Sequence, residues 1–235
     1  MSLSVIFPAY NEELNIRSTI QQSLDALRLR LDKFEILIID DASKDQTGAI
    51  ADELARQHSE ITVLHNVTNK GQGECLRMAF RQVRHEWVIH NAMDYPFDLR
   101  DLDKMLPLTQ DADIIVAARK SRPGYSSYRR LASAVNLFLL NLLFGLGLHD
   151  YNFVQLYRKN VLNSVPVETN STAFLTPEIL IRAHDLGFRI REVEVEYHPR
   201  ERGAATSGNP RVVLKSIRDM LRFWLKYRSR RQASK

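Results

Sequence analysis

One stretch decides the fold of this chain: Asp40-Asp41-Ala42-Ser43-Lys44-Asp45-Gln46-Thr47. It follows the apolar run Phe34–Ile39, whose aliphatic residues are typical of a strand that is covered on both faces in a parallel sheet. Acidic, small and hydroxyl-bearing residues then take over, and an amphipathic segment with Ile50 and Leu54 begins. This change predicts a strand end, a loop and a helix start, which is where open α/β sheets bind their ligands.

The carboxylates of Asp40 and Asp41 admit two interpretations. At the carboxyl edge of a strand they can accept hydrogen bonds from the base and the ribose of a nucleoside. They also fit an ordinary helix start, in which Asp45 is the N-cap and the two earlier aspartates are solvated. The stretch alone leaves both interpretations open.

The length and composition indicate one large α/β domain. A chain of 235 residues can bury a core of that size. Its one cysteine, Cys75, excludes an internal disulfide and indicates a reducing compartment. No signal peptide opens the sequence, and the longest apolar stretch, 137–148, falls short of the ~20 residues that a membrane span needs. We therefore expect a cytoplasmic protein.

The formal net charge is +5, and positive charge is concentrated in the segment Lys226-Tyr227-Arg228-Ser229-Arg230-Arg231. Such a segment favours anionic substrates or lipid headgroups as partners. The sequence carries no nucleic-acid recognition motif. We therefore expect peripheral contact with the cytoplasmic face of the membrane and no nucleic-acid partner.

Strand and helix patterns alternate through the first half of the chain. Alternation of this kind produces a mostly parallel sheet with right-handed crossovers. The first helix is predicted to begin near Glu12. The predicted strands are Ser4–Phe7, Phe34–Ile39, Ile61–His65, Trp87–His90, Ile114–Ala118 and Arg189–Tyr197.

Three further motifs accompany the opening stretch. They are Val5-Ile6-Phe7-Pro8-Ala9-Tyr10-Asn11-Glu12-Glu13, Asn69-Lys70-Gly71-Gln72-Gly73 and the segment Trp87–Pro96. In this order and spacing the set resembles the family 2 glycosyltransferases, and among them the branch that makes polyprenyl-phosphate sugars, such as the dolichyl-phosphate mannose synthases. The resemblance runs from Ser4 to about Arg222.

This resemblance implies a single Rossmann-like, nucleotide-sugar-binding domain of the glycosyltransferase A type at residues 1–209, with a mostly parallel central sheet flanked by helices. An interfacial helix at about 127–145 belongs to that domain, and a basic amphipathic helix and tail follow at 210–235. The interfacial helix is apolar on more than one face, so it is either buried in a core or oligomer interface or dipped into a bilayer. The last helix rests either on a membrane or on the domain.

The resemblance also assigns residues to the nucleotide of the donor. Glycines before a helix let the backbone approach a ligand, and a helix N-terminus favours negative charge, so the 70–73 loop suits a nucleotide. The residues implied on this side are Pro8, Tyr10, Glu12, Asp40, Asp41, Lys70 and Gly71.

The sequence departs from the family where a metal is expected. Related sequences carry Asp-x-Asp after the fourth strand and a Gln two residues later, and these side chains supply oxygen ligands to Mg²⁺ or Mn²⁺. The register set by Phe97 and Gly71 places Ala92, Asp94 and Pro96 at these positions. Ala92 and Pro96 have no side-chain ligand atom, so Asp94 is the single metal ligand expected.

Arginines and further carboxylates are implied on the phosphate and acceptor side. A guanidinium is permanently charged and binds phosphoryl oxygens bidentately. The implied residues are Arg119, Arg200 and Arg202 for phosphates, Arg129, Arg130 and Ser133 for the acceptor phosphate, Asp150 near the sugar, and Glu178 on the acceptor side. Among all these residues, Asp94, Arg119 and Asp150 are the predicted catalytic set. Arg119 and Glu178 also fit ordinary solvated charges.

We therefore predict an inverting glycosyltransferase that moves a sugar from a nucleotide sugar to a polyprenyl phosphate or a related lipid. The missing ligands leave three outcomes open: weak metal binding through Asp94, metal-free stabilisation of the leaving group by Arg and Lys, or a non-catalytic protein that binds nucleotide or lipid. A transferase acting on a soluble acceptor is a further alternative. Of these we expect residual activity with reduced metal dependence.

Overall fold

A seven-stranded sheet organises the computed structural model, which describes residues 1–169, 172–199 and 210–233. The strands are β1 (Ser2–Ala9), β2 (Lys33–Asp40), β3 (Ile61–His65), β4 (Trp87–His90), β5 (Ile114–Arg119), β6 (Val154–Arg158) and β7 (Ile190–Val195). Their order in the sheet is β3-β2-β1-β4-β6-β5-β7. β6 runs antiparallel to β4 and β5, and the other neighbouring strands are parallel. The predicted mostly parallel sheet is thus confirmed.

Helices cover both faces of this sheet. They are α1 (Ile16–Arg28), α2 (Thr47–Gln57), α3 (Gln72–Gln82), α4 (Leu102–Met105), α5 (Ser127–Phe144), α6 (Lys159–Ser164), α7 (Thr172–Asp185) and α8 (Pro210–Ala233). Successive side chains of β1 enter different cores because side chains alternate along a strand. Val5 packs in the core that α1, α2 and α4 cover, whereas Ile6 packs in the core beneath α3, α5 and α7.

The first helix begins later than predicted, at Ile16 instead of near Glu12. Asn11 has a left-handed backbone with φ of 54°, so the chain turns before the helix can start. The Glu12 N–H donates to Thr47, the first residue of α2, and the Glu13 N–H donates to Asp45 in the loop after β2. Contacts with a neighbouring strand end therefore replace the first predicted helical turn.

The last helix, α8, packs on α7 and on the end of α5. The ring of Phe223 lies 5.3 Å from that of Phe174 and 5.8 Å from that of Phe144, and Met220 is fully buried. Of the two placements left open by the sequence, these contacts are those of a helix docked on the domain. The predicted domain boundary at residue 209 lies outside the described residues.

Candidate active site

The strand directions bring several predicted residues to one edge of the sheet. β1, β2, β4, β5 and β7 run the same way, so their carboxyl ends meet at this edge. Asp40 ends β2, Asp94 follows β4, and Arg119 ends β5. With strands about 4.8 Å apart, the four steps from β2 to β5 span roughly 19 Å. The edge is therefore long enough for an extended ligand.

Asp40 and Asp41 are both buried, so the interpretation that they are merely solvated is wrong. Asp40 accepts a hydrogen bond from the Ser43 N–H at 3.1 Å, and its other oxygen lies 3.0 Å from Nδ1 of His65. Asp41 accepts from Nδ2 of Asn66 at 2.8 Å and from the N–H groups of residues 70 and 71 at 2.9 and 2.7 Å. Asp41 thus holds the loop that leads into α3.

These hydrogen bonds keep the Asp41 carboxylate charged. Burial by itself raises its pKa, but the donors from Lys70, Asn66 and Gly71 outweigh burial and lower the pKa below its usual value. The Cys75 thiol is a further hydrogen-bond partner that lowers the pKa of Asp41.

Left-handed backbone at residues other than glycine marks the same edge. The φ angles are 54° at Asn11, 60° at Ala42 and 52° at Tyr95, in the loops after β1, β2 and β4. Such conformations cost energy for L residues and concentrate at functional sites. Asn11 also joins two of these loops, because its Oδ1 accepts from the Lys44 N–H at 2.8 Å.

Pro8, Tyr10 and Glu12 lie at the end of β1. Pro8 pairs with Ile39 of β2. The pairing of β1 with β4 ends at Ile6, so the N–H that proline lacks is not needed for a hydrogen bond to β4. Tyr10 is exposed, with its ring accessible for stacking. Glu12 accepts a hydrogen bond from Nδ2 of Asn15 at 2.6 Å within the turn before α1.

The predicted metal position does not hold a full ligand set. Ala92 and Pro96 flank Asp94 without any side-chain oxygen. In the described part of the chain, no group of three His, Cys, Asp or Glu side chains is arranged to hold a metal ion. Asn91 is buried, and its amide donates to the Phe97 carbonyl at 2.7 Å. Burial of His90 lowers its pKa to about 4. The three expected positions therefore supply one carboxylate, Asp94, where Mg²⁺ or Mn²⁺ needs several oxygens.

Arg119 and Asp150 form a buried ion pair. Nε and Nη2 of Arg119 donate to the two carboxylate oxygens at 2.7 and 3.0 Å, and the two side chains are 9% and 2% exposed. The guanidinium lies over the Phe153 ring, 4.9 Å from its centroid. The expectation that Arg119 faces a phosphate and Asp150 the sugar stays a prediction. A buried charge requires a partner, and here each residue serves as that partner for the other.

Arg122 joins this pair to α5. Its Nη2 lies 3.3 Å from Asp150, and its Nη1 donates to the hydroxyl of Ser133. Sequence reasoning missed Arg122 because it stands in a loop with no motif around it. The signal that could have found it is its position shortly after the strand that ends at Arg119.

Tyr125 contacts three arginines of this region. Its hydroxyl accepts from Nη1 of Arg119 at 2.9 Å. Arg129 lies over its ring, 4.0 Å from the centroid, and Nε of Arg130 donates to its carbonyl at 3.1 Å. Together with Arg122, four arginines therefore converge on the loop between β5 and α5. We call this group the arginine cluster: Arg119, Arg122, Arg129 and Arg130.

Tyr197, after β7, connects the arginine cluster with Asp94. Its ring lies 5.7 Å from that of Tyr125. Burial raises the pKa of the Tyr197 hydroxyl, and Tyr125 and the Asp94 carboxylate raise it further. The next residue, His198, donates its N–H to the Pro96 carbonyl at 3.0 Å. The segment after β7 therefore contacts the loops after β4 and β5.

The remaining predicted residues lie in different surroundings. The Lys70 side chain is exposed, and Gly71 has φ of 83° at the start of α3. Glu178 is fully buried, so its interpretation as a solvated residue is wrong. It accepts from the N–H groups of residues 168 and 169 and from Arg182 at 2.8 to 2.9 Å, and so anchors the loop before α7. Arg200 and Arg202 lie outside the described residues. The roles predicted for all of these residues stay predictions.

Comparison with known sequences identifies relatives along most of the chain. Residues 4–182 match the family described as Glycosyl transferase family 2. The undecaprenyl-phosphate mannosyltransferase of Micrococcus luteus is 26% identical over 214 residues, which cover 86% of each chain. The glycosyltransferase AglD of Haloferax volcanii is 28% identical over 215 residues, but this chain spans only 34% of its length.

Solved structures share the fold. The glucosyl-3-phosphoglycerate synthase of Mycobacterium tuberculosis, solved with Mn²⁺, UDP and glucosyl-3-phosphoglycerate, aligns with a TM-score of 0.69 at 19% identity. The alignment covers 94% of this chain and 78% of that one. TarS of S. aureus, solved with UDP, aligns with a TM-score of 0.61 at 20% identity. The glycosyltransferase A type of fold implied by the sequence is confirmed.

Proposed function

This chain belongs to glycosyl transferase family 2, and from that premise we propose that it moves a sugar from a nucleoside-diphosphate sugar to a polyprenyl phosphate or a similar lipid phosphate, with inversion at the anomeric carbon. The Micrococcus luteus relative, aligned over 86% of both chains, is named for an acceptor of this kind. The chain covers only part of several other relatives, so the acceptor class is part of the proposal.

The observation that carries the proposal is the arginine cluster at the carboxyl edge of the sheet. The guanidiniums of Arg119 and Arg122 contact the Asp150 carboxylate there, and those of Arg129 and Arg130 contact Tyr125 of the adjoining loop. Guanidiniums grouped in this way suit phosphate oxygens on the donor, the acceptor or both. The nucleoside would lie at the other end of the edge, near Tyr10, Asp41 and the Lys70-Gly71 loop.

The reaction needs alignment more than proton transfer. A phosphate oxygen of the acceptor is already anionic at neutral pH, so it attacks the anomeric carbon without a strong general base. The bond from that carbon to the nucleoside diphosphate breaks on the opposite face, and the electron pair leaves with the diphosphate. The protein then has to hold acceptor and donor in line and to stabilise the departing charge.

Cationic side chains take a large share of that stabilisation in this proposal. A divalent ion bound by family members neutralises the diphosphate, but here Asp94 is the one ligand retained among the three expected positions. Lys70 lies at the loop before α3, and the resemblance implies Arg200 and Arg202 above the diphosphate. We therefore propose activity with reduced metal dependence.

A direct test is product formation from candidate nucleotide sugars and a short polyprenyl phosphate, with and without EDTA. We expect sugar transfer that EDTA lowers by less than about tenfold, since a single carboxylate contributes little to metal binding. Complete loss of activity on chelation would contradict the reduced metal dependence and leave the transferase assignment standing.

A second candidate function follows from the same missing ligands. A protein that keeps the fold but binds nucleotide or lipid without turnover would also tolerate Ala92 and Pro96. Calorimetric binding of UDP or GDP, with no product from any donor tested, would favour this candidate. A transferase for a soluble acceptor is distinguished by a rate that does not rise when lipid phosphate or liposomes are added.

Peripheral contact with a membrane is part of the proposal, because a polyprenyl acceptor resides there. Among the described helices, none is both long and apolar enough to cross a bilayer. α5 instead carries an outward apolar stripe, which begins beside the arginine cluster. The stripe consists of Tyr128, Leu131, Val135, Phe138 and Leu142, each at least 42% exposed.

A further inference from the structure

The guanidinium of Arg122 differs from that of Arg119 in how firmly it is held. Arg119 is 9% exposed, donates through three nitrogens and lies against an aromatic ring. Arg122 is 21% exposed, and its contact with Asp150 is long, at 3.3 Å. Arg119 therefore has a structural anchor, whereas Arg122 remains accessible to a ligand.

Asp150 cannot fully neutralise both arginines. Its four acceptor positions are filled by two bonds from Arg119, one from Arg122 and one from the Asn152 N–H at 3.1 Å. The bidentate partner, Arg119, takes the shorter and stronger contacts. Among the residues that the structure describes, one positive charge is thus left partly buried without a full counter-charge, which favours the binding of an anion.

A second acid beside Asp150, Glu192, already accepts several hydrogen bonds. Glu192 on β7 accepts from the N–H groups of His149 and Asp150 at 2.8 and 3.3 Å, and its second oxygen lies 2.9 Å from Nδ1 of His149. Glu192 also raises the pKa of His149. The contacts of Glu192 are therefore with His149 and with the backbone of Asp150.

The hydroxyl of Ser133 completes the arrangement. It accepts from Nη1 of Arg122, and the same hydroxyl has a proton that it can donate. A phosphate oxygen next to this pair would receive a charged N–H and a neutral O–H together. Because Ser133 lies on α5 and Arg122 on the preceding loop, such a ligand would also connect the two elements.

We propose that Arg122 is an anion-binding residue that, with Ser133, holds the terminal phosphate of the acceptor. This inference rests on the proposed function for the identity of the acceptor, and its chemistry is that of a phosphomonoester. Asp150 acts as a positioning residue, which holds Arg122 next to Arg119.

The test compares wild type with Arg122→Ala and Arg122→Lys by calorimetry. The probes are farnesyl phosphate in detergent micelles, inorganic phosphate, and UDP and GDP for the donor side. Loss of a charge-assisted hydrogen bond should weaken farnesyl phosphate binding by about 10- to 100-fold in Arg122→Ala and less in Arg122→Lys. Affinity for UDP or GDP should stay within about twofold, a difference of less than 0.5 kcal/mol on the scale of binding energies.

Arg28→Ala is the matched control, since Arg28 pairs with Glu60 on the surface near α1 and β3, away from this loop. It should leave all affinities unchanged. Inorganic phosphate that binds as tightly as farnesyl phosphate would assign the site to free phosphate and overturn the lipid acceptor as its occupant. Farnesyl phosphate affinity equal in wild type and Arg122→Ala, or an equal loss for every probe with a lower melting temperature, would overturn the role of Arg122.

The remaining outcomes separate this inference from the proposed function. If farnesyl phosphate binding depends on Arg122 but neither nucleotide binds, the inference holds and the donor assignment fails with those nucleotides. If wild type binds UDP or GDP but no farnesyl phosphate, the inference is overturned and the nucleotide side of the proposal stands.

Discussion

At the scale of single residues, Ala42 stores backbone strain beside the buried Asp41. Its φ of 60° is a conformation that glycine adopts freely and alanine does not. We expect Ala42→Gly to raise the free energy of unfolding by about 1 kcal/mol in urea denaturation. The same substitution at Ala51, inside α2, should lower it by about 1 kcal/mol or more. Equal losses at both positions would show that residue 42 is not strained.

Asp150 provides a second test at this scale. Asparagine keeps the shape of the side chain but leaves the buried Arg119 without its counter-charge. We expect Asp150→Asn to lower the free energy of unfolding by about 3 kcal/mol. The surface pair of Arg30 with Asp103 is the control, and Asp103→Asn should cost less than about 1 kcal/mol. Normal unfolding together with lost turnover would instead assign Asp150 a direct part in the chemistry.

At the scale of elements, the exposed apolar stripe of α5 fits either a bilayer surface or an oligomer interface. The stripe residues are spaced three and four positions apart, so they share one face of the helix. We expect the double variant Phe138→Ser and Leu142→Ser to bind anionic phospholipid vesicles at least about tenfold more weakly, because both side chains lose apolar burial.

Leu29→Ser is the matched control for that experiment, since Leu29 is 84% exposed at the end of α1 and lies outside the stripe. Sedimentation with vesicles measures the association. The stripe would be assigned to an oligomer interface by two results together. The wild-type protein would not sediment with vesicles but would elute as a dimer, and the double variant would elute as a monomer.

At the scale of the whole molecule, stability should depend on pH through His65. Its Nδ1 and Nε2 each lie 3.0 Å from a carboxylate, Asp40 on one side and Asp52 on the other, and only the charged imidazole donates to both. These bonds raise the pKa of His65. The stabilisation is therefore complete below the unfolded pKa of about 6.5 and is lost as pH rises through the folded pKa.

The measurement is denaturant unfolding of wild type and His65→Gln across neutral pH. We expect wild type to be the more stable of the two at about pH 6, with the difference shrinking toward alkaline pH. A difference that stays constant with pH would show that the imidazole is not charged between the two carboxylates.

Much of the architecture could be predicted from the chain because it depends on local patterns. The apolar runs that became β2 and β4 are bounded by polar residues, and the helix predicted at about 127–145 is α5, Ser127–Phe144. The start of α1 could not be predicted in this way, because the donors of residues 12 and 13 bond to side chains more than 30 positions away.

The candidate site was determined by the sequence only in part. The order of its motifs was enough to indicate the family, the sheet edge and the absence of two metal ligands, since each of these depends on residue type and spacing. Tertiary structure alone decided that Arg119 pairs with Asp150, that Glu178 anchors a loop, and that Arg122 lies beside Ser133. Partners of buried charges are chosen by proximity in the fold, because low dielectric makes an unpaired charge costly, and spacing along the chain does not encode that proximity.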